Sequence, residues 1–315
     1  MALTLMDVSV VIPTINAAGL IGKAAASCFN QKYEDGTPIS TEVIVIDSSS
    51  SDNTVEIANS SGCKTIVIPV NEFNHGGSRN RAASIASGRV LVFMTQDALP
   101  VNDTLFSALL KPLTDPLTAA AFARQVPKKN ANPVERFSRT FNYPDIGMVK
   151  SKDVIGLLGI KTFFFSNVCS AIKREAFTEA GGFPSVIMNE DMMMSSKLIF
   201  SGYKVVYEPS ALVYHSHNFS LIQQLKRHFD IGVSLKENKM LNYVRPDGEG
   251  LRYFMTGIRH FLNDDTQLPS YKFLWLMYFV LQTVFRFIGY TAGTHYEKMS
   301  KPLRKHLSTH PSYFE

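Results

Sequence analysis

The sequence has little cysteine, no phosphate-cradling glycine signature and no low-complexity or repeated segment, and each absence narrows what the chain is. Cys28, Cys63 and Cys169 are an odd number with no CxxC or Cys/His spacing, which argues against a disulfide framework and a structural zinc site and fits a reducing cytoplasm. No G-x-G-x-x-G follows the first apolar run and no G-x-x-x-x-G-K-[ST] occurs anywhere, so dinucleotide and P-loop readings lack their backbone cradle. Charged residues are 19% against 45% hydrophobic, which excludes a disordered or collagenous chain. The opening MALTLMDVSVVIPT has no basic stretch followed by an apolar core and a small-residue cleavage site, so no export signal is expected.

The 315 residues suffice for about two domains, or for one α/β domain with an appendage. Lys and Arg number 32 against 27 Asp and Glu, for a net charge of +5. That balance suits an anionic ligand or a membrane surface and falls well short of a chain that coats nucleic acid; no nucleic-acid partner is expected. The first half alternates short β-branched runs (Val8-Ile12, Glu42-Ile46, Thr65-Val70, Val90-Met94) with helix-like stretches (Ala17-Gln31, Asp52-Ser60, Gly77-Ala86). This is the pattern of βαβ units on a mostly parallel, Rossmann-like central sheet. Further strands are expected at Phe163-Phe165, Lys204-Tyr207 and Ala211-Tyr214, with a helix over Asn189-Phe200. After Ser220 only helices are expected: Leu221-Leu235, Gly250-Leu262, the apolar Phe273-Gly289 and a basic tail Lys298-His306. The predicted division is therefore an α/β domain over 1–220 and a helical region over 221–315.

In parallel sheets ligands bind beyond the carboxyl ends of the strands, which directs attention to the residues just after each one. Asp47 ends a strand ahead of a serine-rich turn, where a carboxylate can accept from the imide of a pyrimidine; Asp52, further on, reads as a helix cap. In Asn74-His75-Gly76-Gly77-Ser78-Arg79, a glycine turn leads into a helix carrying Arg79, placed to line a nucleotide cleft or merely to face solvent. Asp97 follows an apolar strand, a place suited to Mg²⁺ or Mn²⁺, since cations that bridge phosphates need few protein carboxylates. Glu190-Asp191 at a helix start are either partners of its macrodipole or include a general base. His215-Ser216-His217 after a strand suits metal ligation or phosphate contact, with His215 favoured over His217 by its position.

Taken in order, Val10-Val11-Ile12-Pro13-Thr14, Val45-Ile46-Asp47-Ser48-Ser49-Ser50-Ser51-Asp52, Thr95-Gln96-Asp97-Ala98, Gly181-Gly182-Phe183, Asn189-Glu190-Asp191 and His215-Ser216-His217 resemble the family 2 inverting glycosyltransferases of GT-A fold, over roughly residues 8 to 220. The resemblance implies a GT-A domain followed by a helical extension. Thr14 and Asp47 would hold base and ribose, Asp97 would bind metal, and Asp191 would be the base, with Glu190 the second candidate. The implied nucleotide-sugar set is Pro13, Thr14, Asn16, Asp47, Ser49, Asn74, Gly77, Arg79 and Gln96, and the metal set Asp97, His215 and His217 with Mg²⁺ or Mn²⁺. Two departures, Ser48 for a second Asp and Gln96 for the first Asp of a DXD motif, together with Lys226-Arg227-His228-Phe229-Asp230-Ile231-Gly232, look like the bacterial rhamnosyltransferase subgroup. That subgroup takes dTDP-β-L-rhamnose to lipid-linked or oligosaccharide acceptors in surface polysaccharide synthesis. The alternatives are a UDP-sugar donor (galactofuranose, glucose or N-acetylglucosamine) or a scaffold subunit without turnover.

Such a chain is expected in the cytoplasm, peripheral at the inner face of the plasma membrane, as a monomer or a homo-oligomer. Phe273-Gly289 reads as too short, and too interrupted by Gln282 and Arg286, to span a bilayer, and as a helix for a membrane surface, a subunit contact or the core.

Overall fold

The computed structural model describes residues 7–244, 247–263 and 269–315; the reading of the first six residues as free of an export signal lies outside them. The strands are β1 (Val8–Thr14), β2 (Thr41–Asp47), β3 (Lys64–Val67), β4 (Val90–Met94), β5 (Leu99–Pro100), β6 (Thr118–Val126), β7 (Met148–Lys150), β8 (Cys169–Lys173) and β9 (Lys204–Tyr214). Interleaved with them are α1 (Ile21–Phe29), α2 (Thr54–Ser60), α3 (His75–Ala83), α4 (Leu105–Leu110), α5 (Pro133–Asn142), α6 (Ile155–Leu158), α7 (Arg174–Glu179) and α8 (Glu190–Phe200). Among the described residues only helices follow β9: α9 (Leu221–Glu237), α10 (Asp247–Asn263), α11 (Pro269–Thr294) and α12 (Lys301–Leu307).

All the strands join one sheet in the order β3-β2-β1-β4-β8-β6-β9-β5, with β7 on β9. β1 to β4 pair in parallel, as their alternation with helices requires, and β8 enters antiparallel between β4 and β6. Successive side chains point to opposite faces, so Val11, Ile44 and Phe93 enter one core while Val10, Val45 and Val92 enter the other. Burial on both sides explains why these strands read as unbroken apolar runs.

Three expectations change. Phe163-Phe165 is not a strand but a turn and an irregular stretch before β8. Its rings are used for packing instead, Phe164 and Phe165 on Phe122 at 5.8 and 5.3 Å and Phe163 on Phe200 at 5.4 Å. The two runs around Glu208-Pro209-Ser210 form one strand, β9, with an irregularity where its register on β6 shifts. The apolar carboxyl-terminal helix is longer than read: α11 has 26 residues, about 39 Å at helical rise, which is long and apolar enough to cross a membrane.

One face of α11 nevertheless packs on α9. A Cβ on Gly289 or Gly293 would lie 2.1 Å from the main-chain oxygen of Leu225 or Phe229, so only glycine lets the two backbones approach this closely. Gln282 and Arg286 sit in this seam, Arg286 Nε donating to Gln224 Oε1 at 3.1 Å and Nη2 to Gln282 Oε1 at 2.8 Å. We expect Gly293→Ala to destabilise the protein by about 1–3 kcal/mol through overpacking against backbone. Gly250→Ala, in open space on α10, should be neutral or slightly stabilising. Thermal unfolding of the two variants checks this, and equal melting temperatures would rule out the close approach.

Candidate active site

A cavity of about 780 Å³ opens beyond the ends of β4, β6, β8 and β9 and is closed on the far side by α9 and α11. Asp97, Glu190, Asp191, Arg79, His215 and His217 line it together.

At one end His215 Nε2 lies 3.6 Å from Asp97 Oδ1 and His217 Nε2 3.2 Å from Asp97 Oδ2. The ligand atoms of the three all fall within 4.8 Å of one another. Both imidazoles converge on Asp97, so His217 joins the cluster as fully as His215. His215 Nδ1 sits 2.9 Å from Gln125 Oε1, an acceptor, which puts the ring proton there and leaves the Nε2 lone pair facing Asp97. Burial, only partly opposed by Asp97, lowers His215 to about 3 and also lowers His217, so both rings are neutral as metal ligands must be. Burial works against the Asp97 charge, but the Lys128 ammonium, standing with the two neutral rings around it, holds its carboxyl below the usual range. Lys128 Nζ, 3.2 Å from Asp97 Oδ2, shows that this carboxylate already attracts a cation.

The two carboxylates at the start of α8 have different surroundings. Asn189 adopts a left-handed φ of 65° and turns the chain so that both side chains enter the interior. Glu190 accepts from Arg79 Nη1 and Asn167 Nδ2, each at 3.1 Å. Burial penalises its charge, but the Arg79 guanidinium, helped by the Asn167 amide, outweighs this and keeps it ionised. Asp191 accepts only main-chain donors, from Met192 at 2.7 Å and Asn167 at 3.2 Å. Burial, then the charge of Glu190, raise Asp191 to about 7.

The remaining candidates are brought together with one another rather than into this cavity. Asp47 is fully buried; its Oδ2 accepts from Thr14 Oγ1 at 2.8 Å and Ser50 Oγ at 2.5 Å, and its Oδ1 from Ser50 N at 2.7 Å. Asn16, at φ 47°, accepts from Ser51 N at 2.9 Å, and Ser49, at φ 55°, donates to Ile68 O at 2.8 Å. Gln96 pairs through both amide atoms with the main chain of Ile15, at 2.9 and 3.2 Å. Pro13 continues β1 opposite Ile46. Asp52 organises the start of α2 by accepting from Thr54 N at 3.1 Å. Asn74 caps α3 by accepting from Gly76 N at 3.1 Å and Gly77 N at 2.8 Å. Arg79 is buried in its ion pair, so it does not face solvent.

Sequence reasoning missed Gln125, Lys128, Arg139 and Asn167. Arg139 donates to Glu135 Oε1 at 2.6 Å and to Gln125, fixing the amide that orients His215. None belongs to a local motif; only the pairing of β6 with β8 and β9 brings Gln125 and Asn167 to this end of the sheet.

The family described as Glycosyl transferase family 2 matches residues 9–181. The chain is similar to the O-antigen chain rhamnosyltransferase WbaN of Salmonella anatum, 36% identical over 310 residues that cover 97% of this chain and 95% of that one. The O-antigen chain rhamnosyltransferase RfbN of Salmonella typhimurium is 37% identical over 98% of this chain and 96% of its own. Among solved structures, a mannosyltransferase from Pyrobaculum calidifontis, in complex with GDP-Man and Mn²⁺, superposes with a TM-score of 0.55 at 18% identity, covering 97% of this chain and 79% of that one. S. aureus TarS residues 1-349 with UDP-GlcNAc gives 0.52 at 16% identity over 93% and 92%. These likenesses confirm an α/β GT-A fold with a carboxyl-terminal helical extension, and the chain belongs to glycosyl transferase family 2.

Proposed function

We propose that this glycosyltransferase moves L-rhamnose from dTDP-β-L-rhamnose, with inversion, onto a saccharide acceptor carried on a lipid. The carrying observation is one cavity that holds both a buried carboxyl raised to about 7, Asp191, and the convergent Asp97, His215 and His217. The choice of sugar follows the two rhamnosyltransferase relatives, similar over nearly the whole chain.

In this reading an Asp191 oxygen takes the proton of an acceptor hydroxyl. The hydroxyl oxygen bonds to the anomeric carbon as the bond to the nucleoside diphosphate breaks, and the leaving group departs with the electron pair. No covalent enzyme intermediate forms. Its main-chain donors hold the Asp191 carboxylate in place while leaving lone pairs on both oxygens for the acceptor. Asp97, His215 and His217 fit a divalent cation such as Mg²⁺ or Mn²⁺, which when bound would offset the charge of the diphosphate. Lys128 adds a positive charge on the same side.

The outer face of α11 supports attachment to the membrane that carries such an acceptor, with the enzyme peripheral at its cytoplasmic side. Phe273, Leu274, Met277, Leu281, Val284 and Ile288 lie 44–64% exposed along one helical stripe. Residues 269–296 contain no Asp or Glu, and Lys298, Lys301, Arg304 and Lys305 follow.

Asp191→Asn should lower transfer by roughly 10²- to 10⁴-fold while donor affinity stays within a few-fold. Because the base must be deprotonated, wild-type turnover should rise with pH through an inflection near 7. Folding stability runs the other way: a carboxyl raised in the folded state binds its proton more tightly there than in the unfolded chain. Its penalty therefore grows from about pH 4 to 7 and is full above. Asp191→Asn should accordingly raise the melting temperature at pH 8 and not at pH 3. Near-normal turnover in this variant would move the base to Glu190. Release of dTDP from dTDP-rhamnose, compared with a panel of UDP-sugars, tests the donor.

Asp97→Ala is expected to abolish Mn²⁺-dependent tightening of nucleotide binding in calorimetry; unchanged dependence would remove Asp97 from the metal site. Met277→Glu with Leu281→Glu should release the protein from anionic vesicles in co-sedimentation, and undiminished binding would refute the role given to α11.

A further inference from the structure

Of the three cavity histidines that have no part in the steps above, two face each other and His228 is bonded to its own helix. His75 opens α3 and His310 lies 235 positions later, beyond α12, yet their Nε2 atoms are 3.4 Å apart and their rings cross at 89°. The carboxyl-terminal strap that carries His310 is tied down on both sides of it. Asp230 of α9, fully buried, accepts from Ser308 Oγ at 2.7 Å, from Thr309 N at 2.8 Å and from Thr309 Oγ1. Beyond His310, Phe314 is buried against Phe229 and Val233, and Tyr313 Oη donates to Glu237 Oε2 at 2.6 Å. His310 is thus delivered to the cavity by its anchors, and its contact with His75 follows.

A hydrogen bond between two neutral imidazoles has a fixed consequence. The ring that donates from Nε2 has a bare Nδ1, and the ring that accepts at Nε2 carries its proton on Nδ1. Burial lowers His75 to about 4 and lowers His310 as well, which keeps the pair uncharged at neutral pH. The pair therefore offers one acceptor and one donor, and no charge. A hydroxyl both gives and takes a proton, so this set matches a sugar rather than a phosphate. Its place within the cavity agrees: Arg79, which pairs with Glu190 at 3.1 Å, also donates to the main-chain oxygen of His75 at 2.8 Å, whereas His215 and His217 stand on Asp97. The strap lies on the side of the two carboxylates, away from the metal cluster.

We propose that His75 and His310 form a hydroxyl-binding subsite for the acceptor saccharide, half of it supplied by the carboxyl-terminal strap. This rests on the reading of Asp191 as the base that receives the acceptor.

The test uses the full chain with dTDP-rhamnose and Mn²⁺. Release of dTDP to water alone reads the donor half. Transfer to membranes of a bacterial strain lacking this chain, which hold the unextended acceptor, reads both halves. His310→Ala should lower the ratio of transfer to hydrolysis by roughly tenfold, the upper range for one hydrogen bond, and raise the half-saturating amount of membranes. His310→Gln, which keeps a donor and an acceptor, should recover most of the loss. Asp230→Asn should free residues 308–315 to hydrogen exchange and lower the same ratio without altering either imidazole. A fall of transfer and hydrolysis in parallel, or an unchanged ratio with the strap released, overturns the subsite. A wild-type chain inert in both assays overturns it together with the donor assignment.

Discussion

The buried ion pair between Arg79 and Glu190 is the constraint on which the site rests. Both side chains are under 10% exposed, and a carboxylate so placed keeps its charge only if a cation and a donor stay with it. Arg79 comes from α3, Glu190 from α8, and Asn167 from the approach to β8, so one charge ties three elements to the same point. Glu190 stays ionised, and its permanent negative charge, added to burial, raises Asp191. Adjacent carboxylates thereby take different work, one holding the fold of the site and the other exchanging protons. Without Arg79 the burial of Glu190 would lose its main opposing charge, and its proton affinity would rise.

Much of this was legible in the sequence, for a physical reason. Strands buried on both faces are written in β-branched residues, and polar residues at the end of such a run fall where parallel sheets bind ligands. Asp97, His215 and His217 were singled out this way and converge in the cavity; Thr14 and Asp47, singled out alike, bond to each other outside its lining. The strand β6 was not, because Thr118-Ala-Ala-Ala-Phe-Ala lacks that chemistry; its alanines suit close packing between strands and have poor strand propensity. With β6 unseen, Gln125 could not be placed behind His215. Conversely, the aromatic run Phe163-Phe165 looked like a strand because packing of rings and strand formation favour the same residues. Periodicity also says nothing of what a side chain faces: Arg79 was noticed, but its partner lay 111 positions away.

The carboxyl-terminal helices belong to the same argument. Gln282 and Arg286 interrupt the apolar run of α11 in sequence, yet in space they form the polar seam against Gln224 that helps close the cavity. The opposite face has no such interruption. One face of α11 is thus committed to α9 by glycine contacts, and the other is open and apolar.

The cavity contains two histidine pairs, and their difference shows how context assigns chemistry to one residue type. In both, neutral rings approach through Nε2, at 3.1 Å for His215 and His217 and 3.4 Å for His75 and His310. Beside the first stands Asp97, 3.6 and 3.2 Å from the two Nε2 atoms, so that two imidazole nitrogens and a carboxylate converge as the ligands of a cation do. Beside the second stand Asp230, spent on Ser308 and Thr309, and Glu190, spent on Arg79 and Asn167. No charge is left over to attract a metal, and the rings satisfy each other. The first pair therefore suits the charged end of a nucleotide-sugar, and the second the neutral hydroxyls of a saccharide; a transferase that joins the two needs both kinds of surface in one cavity.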